Sequence, residues 1–179
     1  MDKTEWIYIN NTDNSARYAL GTKGNRTLFC FGINPSKATP DEPDPTLKKV
    51  EQIAKHNGYD SFVMFNVYPK RDTDFNDLGK VISDTEHSKN IEVILKTIPK
   101  DHTIDIWVAF GNHIFDRTYL PFCLKDIYNQ LPKNNIHWYA TKTNKSGAPA
   151  HPLYQRNTAM LLDFNMDSFM ESLEKNCGI

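Results

Sequence analysis

Four short apolar runs constrain this chain most: Thr27–Phe31, Phe62–Tyr68, Ile104–Phe110 and Ile136–Ala140. Each is too short for a core helix and too continuously apolar for a sheet wetted on one face. Runs of this kind suit strands buried on both sides, as in a parallel sheet. Between them lie segments of helical period. Leu47, Val50, Ile53 and Ala54 share one helical face behind Asp44 (cap) and Pro45 (first turn), with Gly58 at the end. Ile91, Ile94, Leu95 and Ile98 do the same behind the capping box Ser83-Asp84-Thr85-Glu86. A segment reaching about Leu131 reads as partly helical, its phase broken at Pro121.

Strand and helix therefore alternate, which predicts an α/β fold with three layers, α/β/α, around a four-stranded, mainly parallel sheet. Ahead of it, Trp6–Ile9 and Arg17–Leu20 flank a polar spacer and predict an added amino-terminal hairpin. The 179 residues read as one domain: a hairpin extension over 1–24, a core over 25–155 and a helical segment over 156–179.

Polar residues mark where the strands end. Gly32-Ile33-Asn34-Pro35-Ser36 follows the first core strand, Asn66 interrupts the second near its end, and His151-Pro152-Leu153-Tyr154 follows the fourth at longer range. Open α/β sheets bind ligands beyond the carboxyl ends of their strands, so three such groups are expected to converge. Gly32 permits close backbone approach and Pro35 stiffens the turn. Asn34 offers an amide to a base edge or a water, and Asn66, an amide in a buried strand, needs a partner in protein or ligand. Such an amide can bond a nucleobase edge through two atoms. His151 can donate to a developing negative charge, while Lys142, Lys145 and Ser146 in the preceding loop form an expected phosphate cradle. Ser36, Tyr68 and Tyr154 complete the expected binding set.

Other chemistries leave no trace in the sequence. There is no Walker-type phosphate loop, no Gly-x-Gly-x-x-Gly and no Gly-x-Ser-x-Gly. Cys30, Cys123 and Cys177, and the remaining histidines, lack metal-ligand spacing, so no metal or organic cofactor is expected. The formal net charge of −1 supplies no global attraction to nucleic acid or anionic membrane. Met1–Glu5 carries no apolar signal region and no run approaches membrane-spanning length, so a cytoplasmic protein without membrane association is expected.

Taken together, Asn34-Pro35-Ser36, Asp44-Pro45-Thr46, a strand ending in Asn66 and the stretch Thr143–Tyr154 resemble the family known as domain of unknown function 1643 over about residues 17–155. That name carries no activity. The same strings resemble, more distantly, the uracil-DNA glycosylase superfamily. Gly32-Ile33-Asn34-Pro35 is similar to its water-positioning motif, Asn66 to its base-reading asparagine, Ala109-Phe110-Gly111-Asn112 to its third-strand segment, and His151-Pro152-Leu153 to its His-Pro motif. The resemblance implies a glycosylase-like topology and a site in which Asn34 positions water, Asn66 reads the base and His151 stabilises the departing base.

Ser36 stands where that superfamily has Gly, and the second Ser-Pro of the last motif is missing. A nucleotide or a single strand is therefore expected as partner before duplex DNA. The leading function is nucleobase or nucleotide recognition, with N-glycosidic bond hydrolysis as its enzymatic form. A non-catalytic nucleotide or nucleic-acid binding module, and an enzyme acting on another small metabolite, are the alternatives.

Overall fold

A computed structural model describes residues 5–72 and 81–179 of the chain. Met1–Thr4, at the start of the expected hairpin extension, lie outside the described residues. Among the described residues seven strands form one mixed sheet: β1 (Trp6–Asn10), β2 (Arg17–Thr22), β3 (Thr27–Gly32), β4 (Ser61–Asn66), β5 (Ile104–Val108), β6 (Ile136–Ala140) and β7 (Leu162–Asp163). Their order is β1-β2-β4-β3-β5-β6-β7. The helices are α1 (Pro45–His56), α2 (Asp84–Thr97), α3 (Tyr119–Gln130) and α4 (Met166–Cys177).

The expected four-stranded sheet is thus corrected to seven strands. Parallel pairing is confined to β4-β3-β5-β6, and antiparallel strands flank it on both sides. The amino-terminal hairpin is no appendage, because β2 joins β4 with Leu20 opposite Met64 and Gly21 opposite Val63. At the other edge, β7 emerges from a segment expected to be helical. It pairs Leu162 with Ala140 and leaves α4 as the helical part.

Alternate side chains of each central strand feed two cores, as the period of a strand dictates. Leu28, Cys30, Phe62, Met64 and Trp107 meet the Leu47, Val50, Ile53 and Ala54 face of α1. Phe29, Phe31, Val63, Phe65, Ile106 and Val108 meet α2, α3 and α4 on the other side. Helices therefore cover both faces. Burial raises the Cys30 thiol well above its ordinary range, consistent with an inert core residue.

Local signals acted as their chemistry requires, with two exceptions. The Asp44 carboxylate accepts from Leu47 N at 2.8 Å and starts α1. Pro121 does not break α3, because it falls in the first turn, where its missing N–H is not needed. Only half the capping box of α2 forms. Ser83 Oγ accepts from Glu86 N at 3.4 Å, but the Glu86 carboxylate accepts from Tyr18 Oη at 2.6 Å, so it is spent on β2.

The chain leaves β3 through α1 on one face and β5 through α3 on the other. Adjacent parallel strands whose connections diverge in this way open a crevice at their carboxyl ends. That crevice holds the candidate site.

Candidate functional site

The residues just beyond β3, β4 and β5 surround a cleft of about 190 Å³. Gly32, Ile33, Asn34 and Ser36 come from the end of β3, Met64 and Asn66 from β4, and His113 and His151 from the loops beyond β5 and β6. Arg17 reaches it from β2, and Asp44, Thr46 and Leu47 from the start of α1. Asn34, Asn66 and His151, spread over more than a hundred residues of sequence, thus line a single crevice.

Asn66 is its least satisfied member. The residue is 1 % exposed, and neither Oδ1 nor Nδ2 has a hydrogen-bond partner among the described residues. Its main chain is well held, since Asn90 Nδ2 donates to the Asn66 carbonyl at 2.9 Å and Val67 N donates to Gly32 O at 2.9 Å. The backbone is therefore fixed while the side-chain amide stays unpaired. Gly32 makes room for it. A Cβ at that position would sit 2.9 Å from Asn66 Oδ1 and 2.6 Å from Met64 Cε. Only a residue without a side chain leaves the amide where it stands.

Asn34 is oriented differently. Its Nδ2 donates to the main-chain carbonyls of Asp72 (3.2 Å) and Pro35 (3.4 Å), and Asp72 N donates to Pro35 O at 2.9 Å. Both amide hydrogens are thereby engaged in the loop, and Oδ1 is left to accept from an occupant or a water. The same interlock brings Asp72 to the cleft.

His151 sits on a loop built to present it. Ala150 N donates to Lys142 O at 2.8 Å, Thr143 bridges Pro149, and Gly111 N donates to Pro149 O at 3.0 Å. Gly111 has φ +69°, and a Cβ there would press on His151 Cβ at 3.3 Å. The ring accepts from Leu153 N through Nδ1 at 3.3 Å, which places its proton on Nε2. Burial first, and the neighbouring His113 second, push its pKa down to about 4. At neutral pH His151 is an uncharged donor.

Arg17 is 3 % exposed, and its Nη1 donates to Ala38 O at 3.0 Å. Burial, with the charge of Arg71 adding to it, lowers its pKa to about 10, so it remains charged at neutral pH.

The other expected binding residues are placed elsewhere. Tyr68 is a core residue. Its ring tilts on Tyr119 with centroids 5.1 Å apart, and its hydroxyl accepts from Ser83 N at 2.9 Å. Pro35 is buried in the turn and acts through its carbonyl. Lys142 and Tyr154 line an adjoining cleft of about 490 Å³ that shares His113 and His151 with the first. Ser146 Oγ donates to Asn112 Oδ1 at 2.7 Å and so ties the loop down, while Lys145 is exposed and lines neither cleft. The expected phosphate cradle is therefore not assembled around Asn66.

Arg17, Asp44, Thr46, Asp72 and His113 were not expected at the site. Asp-Pro-Thr carries a signal for Asp44 and Thr46 that the cap of α1 also accounts for, and Arg17 carries one as the charge opening an apolar run. Among the described residues no group of three or more His, Cys, Asp or Glu is placed to hold a metal ion. No helix among them is long and apolar enough to cross a membrane.

No curated protein and no solved structure matches the chain. Residues 17–153, which span β2 to the His-Pro loop and contain every residue lining the cleft, match the family described as protein of unknown function, DUF1643, and the chain belongs to that family.

Proposed function

We propose that the cleft binds a nucleobase, carried by a nucleotide or a single strand, and cleaves its N-glycosidic bond. One observation carries the recognition half: the Asn66 amide is buried, unpartnered and set in the cleft wall. Leaving a donor and an acceptor unpaired costs about 1–3 kcal/mol each, a cost that an occupant offering the complementary pair removes. A nucleobase edge offers adjacent donors and acceptors in one plane. The resemblance of the motifs to the uracil-DNA glycosylase superfamily supports a base as the occupant of a crevice at the strand ends.

The chemistry follows from the remaining groups. Asn34 Oδ1 accepts from a water, and the Asp72 carboxylate takes that water's proton as its oxygen bonds to the sugar carbon. The carbon–nitrogen bond breaks and its electrons move onto the base. The His151 Nε2–H, uncharged at neutral pH, donates a hydrogen bond to that developing anion.

Duplex DNA is a poor candidate substrate, because the His-Pro loop lacks its second Ser-Pro and the net charge of −1 gives little grip on phosphates. The test is release of free base from uracil-containing duplex, single strand and mononucleotide, with His151→Ala beside the wild type. Release from single strand or mononucleotide that falls at least tenfold in His151→Ala supports the reading. Binding without release from any substrate reduces it to a non-catalytic module, and stronger release from duplex refutes the substrate ranking.

A further inference from the structure

Arg17 has one edge of its guanidinium unused. Nη1 is spent on the Ala38 carbonyl, whereas among the described residues the buried Nε has no partner and none is bonded to Nη2. Nε and Nη2 form the parallel fork that receives two oxygens of a carboxylate or phosphate. A guanidinium taken out of water needs a counter-charge, and here the neighbourhood withholds it. Arg71, whose Nη1 and Nη2 contact the same Ala38 carbonyl at 3.3 and 3.4 Å, adds a second positive charge. Asp44 attracts Arg17 only from beyond ion-pair distance, and its Oδ1 is already used as the cap of α1. Arg17 lines the same cleft as Asn66 and as Thr46, which stands in the first turn of α1. The positive end of that helix dipole adds to the local field.

We propose that the Nε–Nη2 edge of Arg17, with Thr46 at the start of α1, is a phosphate subsite of the cleft, so that the ligand presents a phosphate ester beside the group that Asn66 reads. The inference rests on the nucleobase reading and narrows it to nucleotides. It also moves the phosphate site from the Lys142–Ser146 loop to the opposite wall. A mononucleotide and an internal phosphodiester share this chemistry.

The experiment titrates the intact protein with ribonucleosides, their 5′-monophosphates, a short single-stranded oligonucleotide and inorganic phosphate, following heat release and thermal melting. The expected result is a monophosphate that binds at least tenfold more tightly than its nucleoside, with phosphate competing against the nucleotide. In Arg17→Met the ratio of nucleotide to nucleoside affinity falls to about one, and in Arg17→Lys it is only partly restored. If removal of this buried residue prevents folding, phosphate competition in the wild type decides. Tighter binding of the oligonucleotide than of every mononucleotide assigns the subsite to a phosphodiester, and the reverse to a terminal phosphate. Equal affinity for nucleoside and nucleotide, with no competition by phosphate, overturns the subsite, while Asn66→Ala still weakening nucleosides leaves the base reading intact. Phosphate binding that depends on Arg17 without any preference among bases, unchanged in Asn66→Ala, sustains the subsite and overturns the base reading instead.

Discussion

Replacing Asn66 by Ala separates a binding amide from a structural one. In the free protein both side-chain polar atoms are buried and unpartnered, so Ala removes no hydrogen bond. The main-chain carbonyl, held by Asn90 Nδ2 at 2.9 Å, is untouched. What is lost is packing against Met64 and Gly32, and what is gained is relief of two desolvated groups, about 1–3 kcal/mol each. The void left behind merges with the existing cleft rather than closing into a cavity. These terms oppose each other, so the free variant should melt within a few degrees of wild type, or above it. Binding should respond quite differently. Losing the pairing with a buried base edge costs about 1–3 kcal/mol, roughly 5- to 150-fold in affinity. Thermal melting with and without a saturating nucleotide measures both effects, since a chain of this size shifts by about 2–4 °C per kcal/mol. An unliganded variant that loses more than about 2 kcal/mol, yet keeps the full ligand-induced shift, would refute the reasoning and make Asn66 structural.

Gly32→Ala should weaken ligand binding at least tenfold and destabilise the fold by about 1–3 kcal/mol, because the new methyl meets Asn66 Oδ1 and Met64 Cε inside contact distance; wild-type affinity would contradict it. Asn90→Ala strips the carbonyls of Asn66 and Val67 of their donor, and chemical denaturation should show a loss of about 1–3 kcal/mol, larger than that of Asn66→Ala. His151 gives a pH signature. Its pKa is lowered to about 4 in the folded state, so below about pH 6.5 the unfolded chain takes up the proton first. Its contribution to stability is complete above that pH and is lost as pH falls towards 4, amounting to roughly 3 kcal/mol. His151→Asn, which keeps an acceptor for Leu153 N–H, should flatten this part of the stability curve; identical curves for variant and wild type would show that the ring is not held neutral by the fold.

How much of the fold was legible follows the range of the forces involved. The strand Ile136–Ala140 and the helix opened by Asp44-Pro45 could be read because each is decided by a few adjacent residues. The polar punctuation at Gly32–Ser36, Asn66 and His151 could be read because a parallel sheet leaves its strand ends as open turns. Strand β7 could not, since two exposed residues, Leu162 and Asp163, carry no pattern and pair only because Tyr139 and Ala140 offer an edge. Nor could the fate of Glu86 be seen. Its spacing from Ser83 fits a capping box, but Tyr18 on β2 competes for the same carboxylate and holds it.

Two of the residues missed at the site, Arg17 and Asp72, have one physical cause in common. Arg17 reaches the cleft because β2 lies antiparallel on β4, so the start of β2 falls beside the end of β4. A strand read as a detached hairpin would have put that charge in water. Joined to the sheet, Arg17 is carried into the crevice at 3 % exposure, and the main-chain bond from Arg17 N to Pro69 O at 2.9 Å fastens it to the chain just past β4. Asp72 arrives by the same route, a few residues further on, and is locked to the Asn34 turn through Pro35. The antiparallel edge therefore does more than widen the sheet. It adds Arg17 and Asp72 to a crevice that Asn34, Asn66, Asp44 and His151 line from other elements.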